Sequence, residues 1–174
     1  MQVSTLVQAN ITSLMSIKRM LLAINDQQYR AVVAPFTASL GKHLRHVIEH
    51  YQLLLDGLDD GYIDYDDRLR GEIDESERSS MIMRIQRVCQ ALHEIPSRYS
   101  GDEMIMISTA VDQASEVPKV SSGLNRELVF LQSHSVHHYA IISAILKLQN
   151  VDVDADFGVA TSTLIHEKNQ KCAP

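Results

Sequence analysis

Four long segments of this chain repeat their apolar residues at intervals of three and four positions, the spacing of one face of an α-helix. The segments cover residues 4–24, 39–58, 76–95 and 121–149. Ser4 is a candidate N-cap of the first helix, Asp59-Asp60-Gly61 ends the second, and Pro96 ends the third. We therefore predict an all-α protein, for which a four-helix bundle is the most economical architecture.

The segments between these helices have weaker helical patterns. Residues 59–78 are mostly acidic and polar, but they include several apolar side chains that could anchor the segment. This pattern predicts an ordered loop. Residues 103–108 and 117–120 are rich in β-formers and could pair as a small β-hairpin before the last helix.

Length and composition predict a single folded domain at residues 1–150, with a tail at 151–174 that carries a short helix at 161–167. The chain has 174 residues, of which 45% are hydrophobic and 22% charged, so it can bury a substantial core. Its formal net charge is −6. Because no run of Lys and Arg occurs, nucleic acid is not expected as the main partner.

A cytoplasmic location and no membrane partner are expected. No apolar run approaches the roughly 20 residues that span a bilayer, and the first residues lack the basic-then-apolar layout of a signal peptide. The two cysteines, Cys89 and Cys172, are too few and too far apart for a disulfide framework. Cys89 is predicted to pack in the core.

The histidines are the unusual feature of the composition. The chain has 8, and six of them lie at 43–50 and 134–138, whereas His93 and His166 are predicted to be ordinary surface residues. Residues three or four apart share a helix face. These residues therefore form two stripes: His43, His46 and His50 on the second long helix, and His134 and His138 on the fourth.

Both stripes coincide with the apolar faces of their helices, where an unpartnered imidazole costs about 1–3 kcal/mol. A metal ion would satisfy several imidazoles at once, since two histidines one turn apart and a third on a facing helix can share an ion. Zn, Ni, Fe and Cu accept such nitrogens at about 2.0–2.2 Å. The alternative is a hydrogen-bonded polar seam, in which the histidines pair with Glu49, Glu127 or backbone groups.

Other catalytic and metal-binding patterns are absent from the sequence. A carboxylate-bridged di-iron bundle needs two Glu-x-x-His motifs, and the zinc proteases need His-Glu-x-x-His; the chain has neither. No Cys-x-x-Cys-His motif attaches haem, although haem ligation by these histidines stays open. The lack of Gly-x-Ser-x-Gly gives no support to Ser/His/Asp catalysis.

The segment SHSVHHYAII, residues 133–142, resembles the last-helix motif of the DinB-like (YfiT-like) metalloprotein superfamily. That motif has two metal-binding histidines at i and i+4 and another just before the second. SLGKHLRHVIEH, residues 39–50, resembles the segment that contributes the third. The resemblance implies His46, His134 and His138 as ligands of a divalent Zn, Ni or Fe ion, in an up-down-down-up bundle that is often dimeric.

The resemblance also implies chemistry on a small molecule. Activities in the family include S-transfer with low-molecular-weight thiols and a thiol-dependent isomerisation. A metal held by three histidines lowers the pKa of a bound thiol or water, so we predict a metal-dependent transferase or hydrolase. The alternative is a non-catalytic metal-binding or stress-response bundle, and a third possibility is an interaction module.

Several residues near the stripes are candidates for supporting roles. Glu49 and His50 are candidate proton acceptors, and His43, His137 and Glu127 are expected to lie behind the ligands. For both glutamates the simpler interpretation is a solvated charge or an intrahelical pair, such as Glu49 with Arg45.

Two further groups of residues suggest contacts with other molecules. The loop after the second long helix could recognise a carboxylate or sugar-bearing thiol, or form surface ion pairs with neighbouring Asp residues. Its candidate residues are Tyr62, Tyr65, Arg68 and Arg70. Apolar residues on predicted outer faces leave room for a homodimer: Met15, Phe130 and Ile141.

Overall fold

The computed structural model describes residues 2–69, 73–112 and 117–171. These residues are mostly helical, as predicted, and also form a small sheet. The helices are α1 Val3–Ala23, α2 Asp26–Arg30, α3 Leu40–Gly57, α4 Ile73–Ser76, α5 Arg78–Arg98, α6 Leu124–Leu148 and α7 Thr161–Lys171. The strands are β1 Tyr62–Asp64, β2 Met104–Ser108 and β3 Lys119–Gly123. Within these residues, no helix combines the length and the apolar character needed to cross a membrane.

The four long helices enclose the core. Helix α1 packs against α5 and α6, and α3 packs against the same two helices from its own side. The side chains between them are apolar and fully or almost fully buried, including Leu14, Ile17, Leu44, Ile48, Ile85, Leu92, Leu128 and Ile142. These are the residues that the three- and four-residue spacing places on one face of each helix, so burial of that face holds the helices together.

Helix ends follow local signals with two exceptions. Helix α1 begins at Val3 with Gln2 in the N-cap position, so the prediction that Ser4 is its N-cap was wrong. Ser39 caps α3 by accepting a hydrogen bond from the Lys42 N–H at 3.2 Å. Pro96 does not end α5, contrary to prediction. The proline removes one donor near the helix end, yet the Tyr99 N–H still bonds to the Ile95 carbonyl and the last turn closes. Helix α2, which was not predicted, starts at a capping box formed by Asn25 and Gln28.

The sheet has the order β1-β2-β3. Strands β2 and β3 pair antiparallel with Met106 opposite Ser121, which confirms the predicted pairing, although β3 starts at Lys119. Strand β1 pairs parallel with β2, with Ile63 opposite Ile107. It lies in a segment predicted as a loop, because three residues are too short to show a recognisable alternation.

Gly57 allows β1 to lie close against the end of α3. A Cβ at this position would lie 2.2 Å from the backbone oxygen of Tyr62. The close approach brings the segment that follows β1 back toward the face of α3 that carries the histidines.

We expect Gly57→Ala to lower the free energy of unfolding by about 1–3 kcal/mol, since relieving the overlap requires β1 to shift. That clash outweighs the helix propensity that alanine gains over glycine, about 1 kcal/mol. Urea unfolding checks it, with Gly123→Ala as the control, because a Cβ there meets its nearest atom at 3.4 Å. An equal or higher stability for Gly57→Ala would contradict the close packing of β1.

Residues 151–159 lie against α6, although they were predicted to be part of a tail. Val151, Val153 and Phe157 pack onto the core, and the Phe157 ring stacks on Tyr139 at 5.4 Å. Gly158 has a φ of +77°, and a Cβ there would lie 2.6 Å from the Ala140 nitrogen. The following helix, α7, is four residues longer than the predicted 161–167 and is largely exposed.

Candidate metal centre

Helices α3 and α6 bring together the three histidines that the resemblance implied as ligands. His46 lies on α3, and His134 and His138 lie one turn apart on α6. One possible ligand atom from each lies within 4.8 Å of the other two. The ring centroids are 5.0 Å apart for His46 and His134, 4.8 Å for His46 and His138, and 4.6 Å for His134 and His138.

The other two histidines of the α3 stripe flank this group. The Nδ1 atom of His43 lies 3.1 Å from Nδ1 of His138. Nδ1 of His50 donates to the backbone oxygen of His46 at 2.8 Å, which leaves a lone pair on its Nε2. The His50 ring lies 4.6 Å from the His134 ring. Both residues therefore lie beside the three candidate ligands.

Burial keeps the candidate ligands neutral. It is the main cause that lowers the pKa of His46 to about 2, of His138 to about 3 and of His134 to about 4. Repulsion between neighbouring imidazoles lowers these pKa values further, and Arg68 adds to the effect at His46 and His134. Neutral imidazole is the form that binds a metal, so the ligands need lose no proton at neutral pH.

One ring nitrogen at the centre has no partner. The Nε2 atom of His134 is buried and makes no hydrogen bond. The polar-seam interpretation accounts for the contacts of His43 and His50 but leaves this nitrogen unsatisfied, at a cost of about 1–3 kcal/mol. A divalent cation would satisfy it together with two further nitrogens, and this donor set suits Zn, Ni or Fe. The residues present therefore fit such an ion.

Two aromatic rings form a wall around the histidines. Phe130 stacks on His134 with a centroid distance of 5.5 Å, and Tyr65 stacks on His50 at 5.4 Å. Tyr65 and Phe130 also contact each other, at 5.5 Å. The prediction that Phe130 lies on an outer face was wrong, because it is one turn before His134 and shares its side of α6. The four-residue spacing between Phe130 and His134 was the sequence signal that could have placed the ring beside the histidines.

Glu127 lies behind the wall. Its side chain is 0% exposed and accepts hydrogen bonds from the Tyr65 hydroxyl at 2.8 Å and from Ser122. Burial, and then the Glu127 carboxylate, raise the pKa of Tyr65 well above its usual range. The interpretation of Glu127 as a solvated charge was wrong, because its side chain is buried. Glu127 instead holds Tyr65 in place, and the ring of Tyr65 in turn stacks on His50.

Glu49 is held by an arginine on its own helix. It is 2% exposed, and the Nη1 atom of Arg45 donates to both of its oxygens at 3.0 Å. Arg45 also donates from Nε to Glu75 at 2.7 Å. The intrahelical pair suggested by the sequence is therefore present, and proton transfer by Glu49 stays a prediction.

Arg68 contacts the candidate centre, and within the part of the chain that the structure describes it forms no ion pair with a carboxylate. Its Nη1 atom lies 2.6 Å from Nδ1 of His46, and its Nε atom is buried without a hydrogen-bond partner. Tyr62, in contrast, is exposed, with Lys119 over its ring at 5.1 Å. Arg70 lies outside the described residues.

The remaining candidate residues lie outside the ligand group. His137, which was expected to lie behind the ligands, is exposed, with its ring edge-on to His138 at 5.3 Å. His93 and His166 are exposed, as predicted. Burial raises the pKa of the half-buried Cys89 thiol, which favours a packing role. Cys172 lies outside the described residues.

A separate cavity of about 620 Å³ lies between α1, α6 and residues 151–161. None of the histidines lines it; its walls include Thr12, Met20, Val136 and Phe157. The sequence did not predict it, since it depends on how the segment after α6 folds back. The histidine centre is thus distinct from this cavity.

Comparison with known proteins identifies one partial relative. No family model matches the chain, and no solved structure gives a significant match. FK506-binding protein 5 of Rhizopus delemar is 34% identical over 109 residues, which cover 62% of this chain and 28% of that protein. The chain thus matches little more than a quarter of the relative, and this similarity does not bear on metal binding.

Proposed function

We propose that this protein is a DinB-like metalloprotein that binds a divalent Zn, Ni or Fe ion through His46, His134 and His138. The observation that carries the proposal is the convergence of three neutral imidazoles, whose ligand atoms lie within 4.8 Å of one another. The buried, unpartnered Nε2 of His134 supports it independently. In this proposal α1, α3, α5 and α6 form the up-down-down-up bundle of the family, with β1 in the long crossover between α3 and α5 and with β2 and β3 in the connection between α5 and α6.

We further propose that the centre is catalytic and activates a thiol or water. Among the described residues, three histidines form the ligand group and no fourth His, Cys, Asp or Glu joins it. Structural zinc sites usually have four protein ligands, whereas catalytic sites keep a position for water or substrate. A bound metal ion would supply Lewis acidity and stabilise a thiolate or hydroxide near neutral pH.

The surrounding side chains suit this role. Tyr65 and Phe130 exclude water from one side of the histidines, and the hydrogen bond from Tyr65 to Glu127 fixes that wall. His50 presents an Nε2 lone pair beside His134, because its other nitrogen donates to the backbone. It is therefore placed to accept a proton from a bound thiol or water.

Cobalt(II) loading tests both parts of the proposal. Cobalt(II) bound to the protein absorbs visible light, so its binding can be measured directly. A sulfur ligand on the bound cobalt adds a charge-transfer band in the near ultraviolet. We expect cysteine or 2-mercaptoethanol to produce that band, and the matched alcohol, ethylene glycol, to leave the spectrum unchanged. Bound cobalt without the band would contradict thiol activation while leaving metal binding in place.

A further inference from the structure

We infer that Arg68 and the metal ion compete for His46, and that a metal ion which displaces Arg68 creates a site for a carboxylate anion beside itself. The inference rests on the proposed metal centre and names the class of ligand that this centre would take. Its basis is the contact of 2.6 Å between Nη1 of Arg68 and Nδ1 of His46.

The contact fixes how His46 can use its two nitrogens. A guanidinium group only donates hydrogen bonds, so Nδ1 of His46 must be the acceptor. A neutral imidazole has one nitrogen with a lone pair and one with a proton, which places the proton on Nε2. While Arg68 is bound, His46 therefore has no nitrogen to offer a metal.

Metal binding through either nitrogen removes this contact. If His46 binds the ion through Nδ1, the ion takes the place of the guanidinium. If His46 binds through Nε2, the proton moves to Nδ1, which can then no longer accept from Arg68. Repulsion between the guanidinium and a divalent cation acts in the same direction.

Displaced from His46, Arg68 would lose the one hydrogen-bond acceptor that the described residues give it. Its Nε is already buried and unpartnered, and among the described residues no carboxylate forms an ion pair with it. Two carboxylates near it in sequence accept backbone hydrogen bonds: Asp64 from the Asp66 N–H and Asp66 from the Ala110 N–H. The planar donor fork of arginine matches a carboxylate, so a small carboxylate anion, free or as part of a substrate, is the ligand it fits.

The two binding events are then linked. An anion that pairs with Arg68 withdraws it from His46 and so favours the metal, and a bound metal favours the anion by the same factor. A carboxylate-bearing substrate would thus bind most tightly to the metal-loaded protein, with its charged group held next to the metal.

The test is zinc affinity, measured by competition with a chromophoric chelator, with and without succinate at constant ionic strength. We expect Arg68→Met to bind zinc about tenfold more tightly than wild type without succinate, a typical coupling factor. Succinate should strengthen zinc binding to wild type and have no effect on Arg68→Met. Arg68→Lys keeps the charge but lacks the donor fork, and should lose the response to succinate.

Arg98→Met is the matched control, since it removes the same charge from an exposed side chain on α5 whose contacts are Asp59 and Tyr99. It should behave as wild type. Unchanged or weaker zinc binding by Arg68→Met, in a variant whose metal-free unfolding matches wild type, overturns the inference. An equal succinate effect in both proteins overturns it too, because the anion would then bind the metal directly. Absence of zinc binding from all the proteins would instead reject the proposed metal centre.

Discussion

Replacing His138 with alanine is expected to remove stoichiometric metal from the protein and to weaken zinc binding on the order of a hundredfold or more. Structural zinc sites gain about 10–16 kcal/mol from four ligands, so the loss of one ligand costs about 2–4 kcal/mol. Here the loss falls on a set of three, and among the described residues no other His, Cys, Asp or Glu joins the group. Metal content after dialysis and isothermal titration with zinc measure the effect.

Other histidine variants test whether the loss of metal is specific to the candidate centre. His93→Ala removes an exposed imidazole from α5 and should retain full zinc content. On α3, His46→Ala should lose the metal as His138→Ala does, whereas His43→Ala and His50→Ala should retain it with lower affinity. Equal, sub-stoichiometric metal in wild type and His138→Ala would reject the centre.

Replacing Arg45 with methionine is expected to lower the free energy of unfolding by about 3 kcal/mol, because it removes two hydrogen bonds to the buried Glu49 carboxylate from a charged donor. The Arg45 side chain is 9% exposed and the Glu49 side chain 2%, so water cannot replace the lost hydrogen bonds. Glu75 loses its ion pair with Arg45 in the same variant. Urea unfolding of the metal-free protein measures the change without a contribution from metal binding.

The double variant Arg45→Met with Glu49→Leu separates the pair from the packing of its side chains. Replacing both members of a buried pair with apolar groups is often neutral, so we expect the double variant to recover most of the lost stability. Arg98→Met breaks an exposed ion pair with Asp59 and should change stability little. A change for Arg45→Met as small as that for Arg98→Met would contradict a buried role for the pair.

The helices and their apolar faces were predictable because the signals are local. The spacing of Leu14, Ile17 and Leu21 predicts the buried face of α1, and the Ser39 hydroxyl marks the start of α3. The predictions that failed rested on local signals that were weak or that the rest of the fold overrode. Pro96 costs one hydrogen bond, which the last turn of α5 tolerates, and the three residues of β1 are ordered by pairing with a strand more than 40 residues later.

Parts of the candidate centre were equally local. His134 and His138 share a face because one turn of α-helix separates them, and this needs no knowledge of the fold. The sequence also showed that His43, His46 and His50 form one stripe. Helical periodicity could not determine which of the three meets His134 and His138, because that depends on how far α3 is shifted along α6; only the resemblance favoured His46.

By itself, then, the sequence determined four long amphipathic helices and two histidine stripes, because helical periodicity is a property of neighbouring residues. The tertiary structure brought His46, which the resemblance had implied, to the α6 pair, and it alone decided that Phe130 stacks on His134. It also brought Arg68 to His46, across 22 residues of chain. Such contacts arise from the packing of whole helices and from the path of the segment after β1, which no local pattern encodes.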